Sequence, residues 1–447
     1  MVHVEPDGTS VHIETPPAPV PEPERQERPK AKTQENRSKQ DPYGPRRKPR
    51  PNDEPRRDGD TRKGGAPNSQ SYGKDRFWKA GREGKQPYPP QLGGQQGLYK
   101  ANGHVKELYA ALDLGTNNCR LLIARPEQRG FRVVDAYSRI VRLGEGVGSS
   151  KRLSDAAMER AIEALKICRQ KLDERGVKRS RLIATEACRA ADNGEEFITR
   201  ARDEAGLYLE IVSQETEARL AVAGCVSLVD PDADGVLLFD IGGGSSEIVW
   251  LDLRNRYGAR GFALTRFIRT WISLPVGVVN LAERHGGKNV TSDLFEAMIQ
   301  DVAEKLEAFP LSRELSRAIE TGNVHMLGTS GTVTTLAGVH LELKRYDRRR
   351  VDGAWMDSED VSAMVGKLLA MSYEQRVLNP CIGEDRADLV LAGCAILEAI
   401  RRKWPCQRLR VADRGLREGI LMEMMASDKV WRGGQNKRRS GVGKEKR

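Results

Sequence analysis

Leu112-Asp113-Leu114-Gly115-Thr116-Asn117-Asn118 and Phe239-Asp240-Ile241-Gly242-Gly243-Gly244-Ser245-Ser246-Glu247 place two aspartate–glycine turns in one chain of 447 residues. Each turn follows an apolar run, Leu108–Leu112 or Val236–Phe239, and precedes another, Cys119–Ile123 or Ile248–Leu251. An apolar run, a small polar turn and a second apolar run describe a β-hairpin. Two such hairpins facing each other would enclose a phosphate chain and a divalent cation.

The turn residues suit that chemistry. Glycines at 115, 242, 243 and 244 let the backbone approach a ligand with no Cβ in the way. Successive backbone N–H groups, with Thr116, Asn117, Asn118, Ser245 and Ser246, offer donors to phosphate oxygens. Asp113, Asp240 and Glu247 offer the hard oxygen ligands that Mg²⁺ takes, usually through water. A single Asp-Gly turn reads as an ordinary hairpin; two on matching frames favour a site. A dinucleotide fingerprint is the weaker rival. Gly242-x-Gly244 lacks a third glycine, and the segment after it alternates like a strand rather than opening a helix.

Composition divides the chain. The first hundred residues hold 16 of the 22 prolines, about 20 Lys/Arg and 14 Asp/Glu, and few aliphatic side chains. Too little apolar surface is available there to offset ordering, so residues 1–105 are expected to be disordered. A basic tail is expected over 427–447. The net charge of +11 and pI of about 9.3 are compatible with polyanion binding or with solubility. No nucleic-acid module accompanies the tails, so nucleic acid is not the expected partner. No apolar run reaches eighteen residues and residues 1–20 lack an apolar signal core, which points to a cytoplasmic protein without a membrane partner. Seven scattered cysteines with no C-x-x-C pair read as reduced core residues.

Between these ends the pattern is α/β. Strand-like segments are expected at 132–137, 139–143, 181–184, 208–212 and 324–327. Helices are expected at about 154–175, 193–205, 213–228, 293–307, 311–320, 334–339, 358–371, 384–402 and 415–425. Strands alternating with helices behind a repeated hairpin imply two related lobes with a cleft between them. Gly328-Thr329-Ser330-Gly331-Thr332 connects a strand to a helix and would aim that helix's N-terminus at an anion; it is otherwise a plain connection.

At this point the chain resembles a known family. Two Asp-Gly turns plus a late Gly-x-Ser-Gly-Thr turn look like the actin, Hsp70 and sugar-kinase superfamily of two ribonuclease H-like domains. Within it, five blocks resemble the Ppx/GppA phosphatases, that is, exopolyphosphatases and guanosine pentaphosphate phosphohydrolases. They are Asp113–Asn118, Thr185–Ala190, Glu217–Leu220, Asp240–Glu247 and Gly328–Thr332, and Arg414-Gly415-Leu416-Arg417-Glu418-Gly419 resembles the closing motif. The resemblance spans about 106–426. It implies a first domain over 106–218 that regains a helix near 415–426, and a second over 219–414.

The resemblance also implies roles. Glu217 would be the base on the attacking water and Arg189 a phosphate contact. Asp113, Asp240 and Glu247 would serve metal and water. Phosphate would meet Gly115, Thr116, Asn117, Asn118, Gly242, Gly243, Gly244, Ser245, Ser246, Gly328, Ser330, Gly331 and Thr332. The implied reaction is Mg²⁺-dependent removal of the terminal phosphate of inorganic polyphosphate, with the 5′ γ-phosphate of pppGpp as the alternative, by a homodimer. Two departures stand out: Asn118 occupies a position usually held by Ser, and Ser246 one usually held by Thr. The resemblance is to a short form of the family, without the helical C-terminal half expected of longer members. An ATP-dependent kinase or a non-catalytic actin-like protein are the readings outside this class. The Glu-Ala-Arg-Leu block at 217–220 and the set of polar blocks argue against both.

Overall fold

The computed structural model describes residues 107–128 and 130–431. The expected disorder over 1–105 and most of the expected tail over 427–447 lie outside these residues. The first half runs β1 (Tyr109–Leu114), β2 (Asn118–Pro126), β3 (Phe131–Ile140), α1 (Val147–Ser150), α2 (Asp155–Glu174), β4 (Arg179–Ala184), α3 (Glu186–Ala190), α4 (Gly194–Ala205), β5 (Glu210–Ile211) and α5 (Gln214–Cys225). The second begins β6 (Gly235–Ile241), β7 (Ser246–Asp252), β8 (Ile268–Leu274), α6 (Val278–His285), α7 (Ser292–Leu306), α8 (Ser312–Thr321), β9 (Val324–Thr329) and α9 (Gly331–His340). It ends α10 (Arg348–Val351), β10 (Trp355–Asp357), α11 (Ser358–Ala370), α12 (Tyr373–Leu378), α13 (Val390–Lys403), β11 (Arg408–Ala412) and α14 (Leu416–Ser427).

The two sheets repeat one topology. The first has the order β3-β2-β1-β4-β5, and the second β8-β7-β6-β9-β11 with β10 added at the edge. In both, the opening hairpin strands are antiparallel and the next strand joins parallel to the first. Asp113 pairs with Arg120 and Asp240 with Glu247, so the two turns sit at equivalent register. This is the expected pair of ribonuclease H-like lobes.

Apolar strands follow from helices on both faces. Ala110, Leu112 and Leu114 pack under α2 and α4, while Tyr109 and Ala111 meet Ile420, Leu421 and Met425 of α14. Leu237 and Phe239 pack with α7, α9 and α13, while Val236 and Leu238 meet Ala218, Ala221 and Val222 of α5. The helix that ends the first half thus covers the second sheet, and the helix that ends the second half covers the first. The boundary expected at 218/219 falls inside α5.

Several local expectations change. Residues 131–140 form one strand, and Arg142 turns left-handed (φ 47°) where a second strand was expected to continue. The helix expected over 384–402 is a 3₁₀ turn at Glu384–Arg386 followed by α13. Strands β8, β10 and β11 and helices α6 and α12 were not anticipated. Packing also continues past 427: Asp428 accepts from Tyr109 and Arg179, and the Trp431 indole donates to the Glu127 carbonyl at 2.9 Å. Among the described residues all seven cysteines are buried free thiols, and no helix is long and apolar enough to cross a membrane.

Helices α5 and α14 cross at glycines. A Cβ on Gly419 would lie 1.9 Å from the Leu220 carbonyl oxygen, and one on Gly224 would lie 1.9 Å from that of Gly415. Gly366 in α11 has nothing within 4 Å of the same position. Gly419→Ala is therefore expected to lose about 1–3 kcal/mol of stability through overpacking. Gly366→Ala should gain about 0.5–1 kcal/mol from helix propensity. Urea midpoints of the two variants check the opposite signs.

Candidate active site

A cleft of about 660 Å³ opens where the two hairpin turns meet. Each turn is closed by the same bond, from the Gly115 amide to the Asn118 carbonyl and from the Gly242 amide to the Ser245 carbonyl, both 2.9 Å. The turns touch directly: a Cβ on Gly243 would lie 2.9 Å from Thr116 Cβ, and one on Gly244 would lie 2.7 Å from Thr116 Oγ1. Glycine is needed there because the other lobe's threonine fills the space.

The backbone accounting is one-sided in both turns. In the first, Thr116 O accepts from Gly144 N, and Asn117 O from Val141 N and Arg142 N, at 2.9–3.0 Å. In the second, Gly242 O and Gly243 O accept from the Val278 and Val279 amides at the start of α6, at 2.9 and 2.8 Å. Gly244 O accepts from the Asn280 side chain at 2.8 Å. The amides of Thr116, Asn117, Gly243, Gly244 and Ser245 donate to no acceptor among the described residues. Buried N–H groups require partners, and successive unpaired amides form an anion nest. Asn117 Oδ1 is also buried and unpartnered.

Seven carboxyls line the cleft, and four of them, Asp113, Glu217, Asp240 and Glu247, are the expected ones. Burial, then Glu217 and Asp113, push Asp240 up to about 7. Burial and Asp240 push Glu247 to about 7, against the Ser273 and Ser245 hydroxyls that donate to it at 2.7 and 2.8 Å. Burial also raises Asp113, opposed by Arg120 and Arg417. Burial and Glu247 raise Glu217, opposed by Arg189. Among the described residues no three His, Cys, Asp or Glu side chains form a ready cage for a metal ion. The donors are all hard oxygens held against their own repulsion, which fits a cation that takes one or two carboxylates and completes its shell with water and phosphate.

Glu217 reaches the cleft from the first turn of α5, whose N-cap Ser213 accepts from Thr216 N at 3.2 Å. Its Oε2 accepts from Arg189 Nη2 at 2.9 Å. At the start of α9, Ser330 holds φ 82°, a conformation rare for a residue with a side chain and concentrated at functional sites. There Thr329, Ser330, Gly331 and Thr334 line the cleft.

Most expected residues come together, and four do not. Gly115, Thr116, Asn117, Asn118, Gly242, Gly243, Gly244, Ser245, Ser330 and Gly331 line the cleft with the four carboxyls. Ser246 does not; it is fully buried and donates to the Val276 carbonyl at 2.7 Å. Gly328 packs under Phe239 and Val333, and Thr332 packs against Gly393. Arg189 is absent from the lining and donates to Glu186, Val212 and Glu217. The arginines that do line the cleft are Arg120, Arg386, Arg414 and Arg417. Arg414 is paired with Asp352, whereas the side chains of the other three make no hydrogen bond or ion pair with described residues. Arg120 was readable as the partner of Asp113 across a two-residue-period hairpin, and Arg417 lay within the quoted closing motif. Nothing local marked Arg386.

Comparison with known proteins places this geometry. Residues 122–428 match the family model of the Ppx/GppA phosphatase family. The chain is 29% identical over 304 residues to a bifunctional 3-dehydroquinate synthase/phosphatase of Fusobacterium nucleatum, covering 66% of this chain and 43% of that protein. It is 28% identical over 334 residues to a guanosine-5′-triphosphate,3′-diphosphate pyrophosphatase of Photobacterium profundum, covering 72% and 60%. The chain thus spans about half the length of these curated relatives. The crystal structure of the Aquifex aeolicus Ppx/GppA family member superposes with a TM-score of 0.58 at 30% identity, over 72% of this chain and 98% of that one.

The carboxyl cluster has a consequence for stability. Asp240 and Glu247 bind protons more tightly folded than unfolded. Their stabilising contribution is therefore full below the unfolded carboxyl range near pH 4 and is lost as pH rises through about 7. In metal-free buffer the Tm should fall between about pH 5 and about pH 8, and Asp240→Asn should flatten that fall. Coincident slopes for the two proteins in a thermal-melt series would contradict the cluster described.

Proposed function

The chain belongs to the Ppx/GppA phosphatase family, and from that premise we propose that it hydrolyses the terminal phosphoanhydride bond of a polyphosphate chain. The observation that carries this reading is the pair of touching turns in which the carbonyls of Thr116, Asn117, Gly242, Gly243 and Gly244 are engaged while the amides of Thr116, Asn117, Gly243, Gly244 and Ser245 meet no acceptor among the described residues. Amides so oriented receive the equatorial oxygens of a terminal phosphoryl group, and charge building there during transfer strengthens each contact. Arg120, Arg386 and Arg417 bring charge to the same cleft and suit the rest of the polyanion through bidentate contacts.

Glu217 is the base. With Oε2 held by Arg189, its other oxygen is left to accept a proton from water. The water oxygen forms the new bond to phosphorus, the bridging oxygen leaves with the shortened chain, and orthophosphate departs. Asp113, Asp240 and Glu247 would hold a magnesium ion, which when bound offsets charge on the phosphate oxygens. The short relay Ser245–Glu247–Ser273 keeps that carboxyl oriented.

The finer substrate is inorganic polyphosphate in the leading reading. A second reading, the 5′ γ-phosphate of pppGpp, draws on the apolar part of the cleft lining. Tyr346, Val377, Leu378, Pro380 and Ile382 form it, and Leu378 is 81% exposed. Such a surface suits a nucleobase better than a linear polyanion, and the Photobacterium relative bears the matching name.

Glu217→Gln is expected to lower phosphate release by about 100-fold or more. Phosphate release by the wild type and the variant, with defined polyphosphate and pppGpp side by side, tests both steps. An unchanged rate in the variant removes the base, and the ratio of kcat/KM for the two substrates decides between the readings.

A further inference from the structure

The geometry points to Arg189 as a positioning residue for Glu217 rather than a contact for the substrate's phosphates. The inference rests on Glu217 being the base. Arg189 Nε and Nη2 donate to Glu186 Oε2 at 3.0 and 2.7 Å. Nη1 donates to the Val212 carbonyl at 2.7 Å, and Nη2 donates again to Glu217 Oε2 at 2.9 Å. A guanidinium carries five N–H donors, and these four bonds leave only one on Nη1.

Each acceptor bears on where Glu217 sits. Val212 immediately precedes Ser213, the N-cap of α5, so the bond to its carbonyl fixes the backbone from which Glu217 projects. Glu186 belongs to α3, the helix that also carries Arg189. Its Cγ lies 3.1 Å from where a Cβ on Gly244 would stand, so the same arrangement abuts the second turn. Arg189 therefore registers the base against both the first lobe and the opposite turn. Turning it onto a phosphate would strip two largely buried carboxylates, Glu186 and Glu217, of their counter-charge, and an unpaired buried charge is costly. The contrast with its neighbours is direct. Arg120, Arg386 and Arg417 line the cleft with no such bonds, whereas Arg189 is absent from the lining.

A positioning residue and a phosphate contact separate kinetically. Losing the first lowers kcat with little effect on ground-state binding, and losing the second raises KM. For Arg189→Met, kcat with the better of polyphosphate and pppGpp should fall by about 100-fold, with KM within about threefold of wild type. Arg189→Lys, which keeps the charge but loses the fork, should recover part of kcat. A rise in KM of about tenfold or more, with or without a fall in kcat, overturns the assignment. Calorimetric binding of tripolyphosphate in magnesium buffer gives a reading independent of turnover. Glu217→Gln and Glu217→Gln/Arg189→Met should bind equally well, and about tenfold weaker binding by the double variant would show a phosphate contact. Absence of turnover by the wild type on either substrate would count against the proposed reaction. The binding comparison would still decide where Arg189 acts.

Discussion

Buried backbone groups need partners, and in this protein five carbonyls of the two turns have them while five of the amides beside them meet no acceptor among the described residues. The cause lies outside the turns. Residues 141–144 approach the first from one side, and the start of α6 approaches the second in the same way, each taking the carbonyls. A turn whose oxygens are occupied can rotate no further, so its N–H groups are committed to the cleft. Much of the site chemistry follows from that commitment. Anions are welcome, the carboxyls nearby need a counter-charge, and water has to be oriented by something other than the turns.

The spacing of the two turns depends on a second constraint, the exclusion of side chains. Thr116 occupies the space beside Gly243 and Gly244, and the glycines of α5 and α14 let those helices meet backbone to backbone. Because each helix covers the other half's sheet, the crossing ties the two lobes together. The ends of the crossing helices carry Glu217 on one side and Arg417 and Glu418 on the other. Glu418 accepts from Gly415 N and from Arg348 at 3.0 and 2.8 Å. Burial alone would raise its pKa, but Arg417 and Arg348 hold it below the usual carboxylate range. Packing at the crossing and charge in the cleft are thus set by the same two helices.

The fold was legible where periodicity and turn chemistry agree. The paired Asp-Gly hairpins, helices such as 155–174 and the α/β alternation all carry local signals strong enough to survive tertiary context. Strand β11 was not, because Arg408-Leu409-Arg410-Val411-Ala412 is short and charged on one side, and it is a strand only because β9 lies beside it. Within the site, the sequence pattern identified which loops matter but not which way each side chain faces. Ser246 looks like a phosphate donor by composition. As the first residue of β7 it points inward to Val276 instead. Gly328 and Thr332 flank the useful part of their turn and are consumed by packing.

The arginines show the same limit most sharply. Arg120, Arg189, Arg386 and Arg417 are chemically identical as letters, and a motif assigns phosphate to whichever one it contains. What distinguishes them is how many of their donors the protein already uses. Carboxylates at 186 and 217 and a carbonyl at 212 saturate Arg189 almost completely, and while Glu186 is a local partner one helical turn away, Val212 and Glu217 reach it only after the chain has folded. The Arg417 side chain lies in the cleft with no hydrogen-bond partner among the described residues, and burial lowers its pKa. A guanidinium in that condition is held ready for an incoming oxyanion. One in the condition of Arg189 already has its anions, and its contribution to the chemistry is through them.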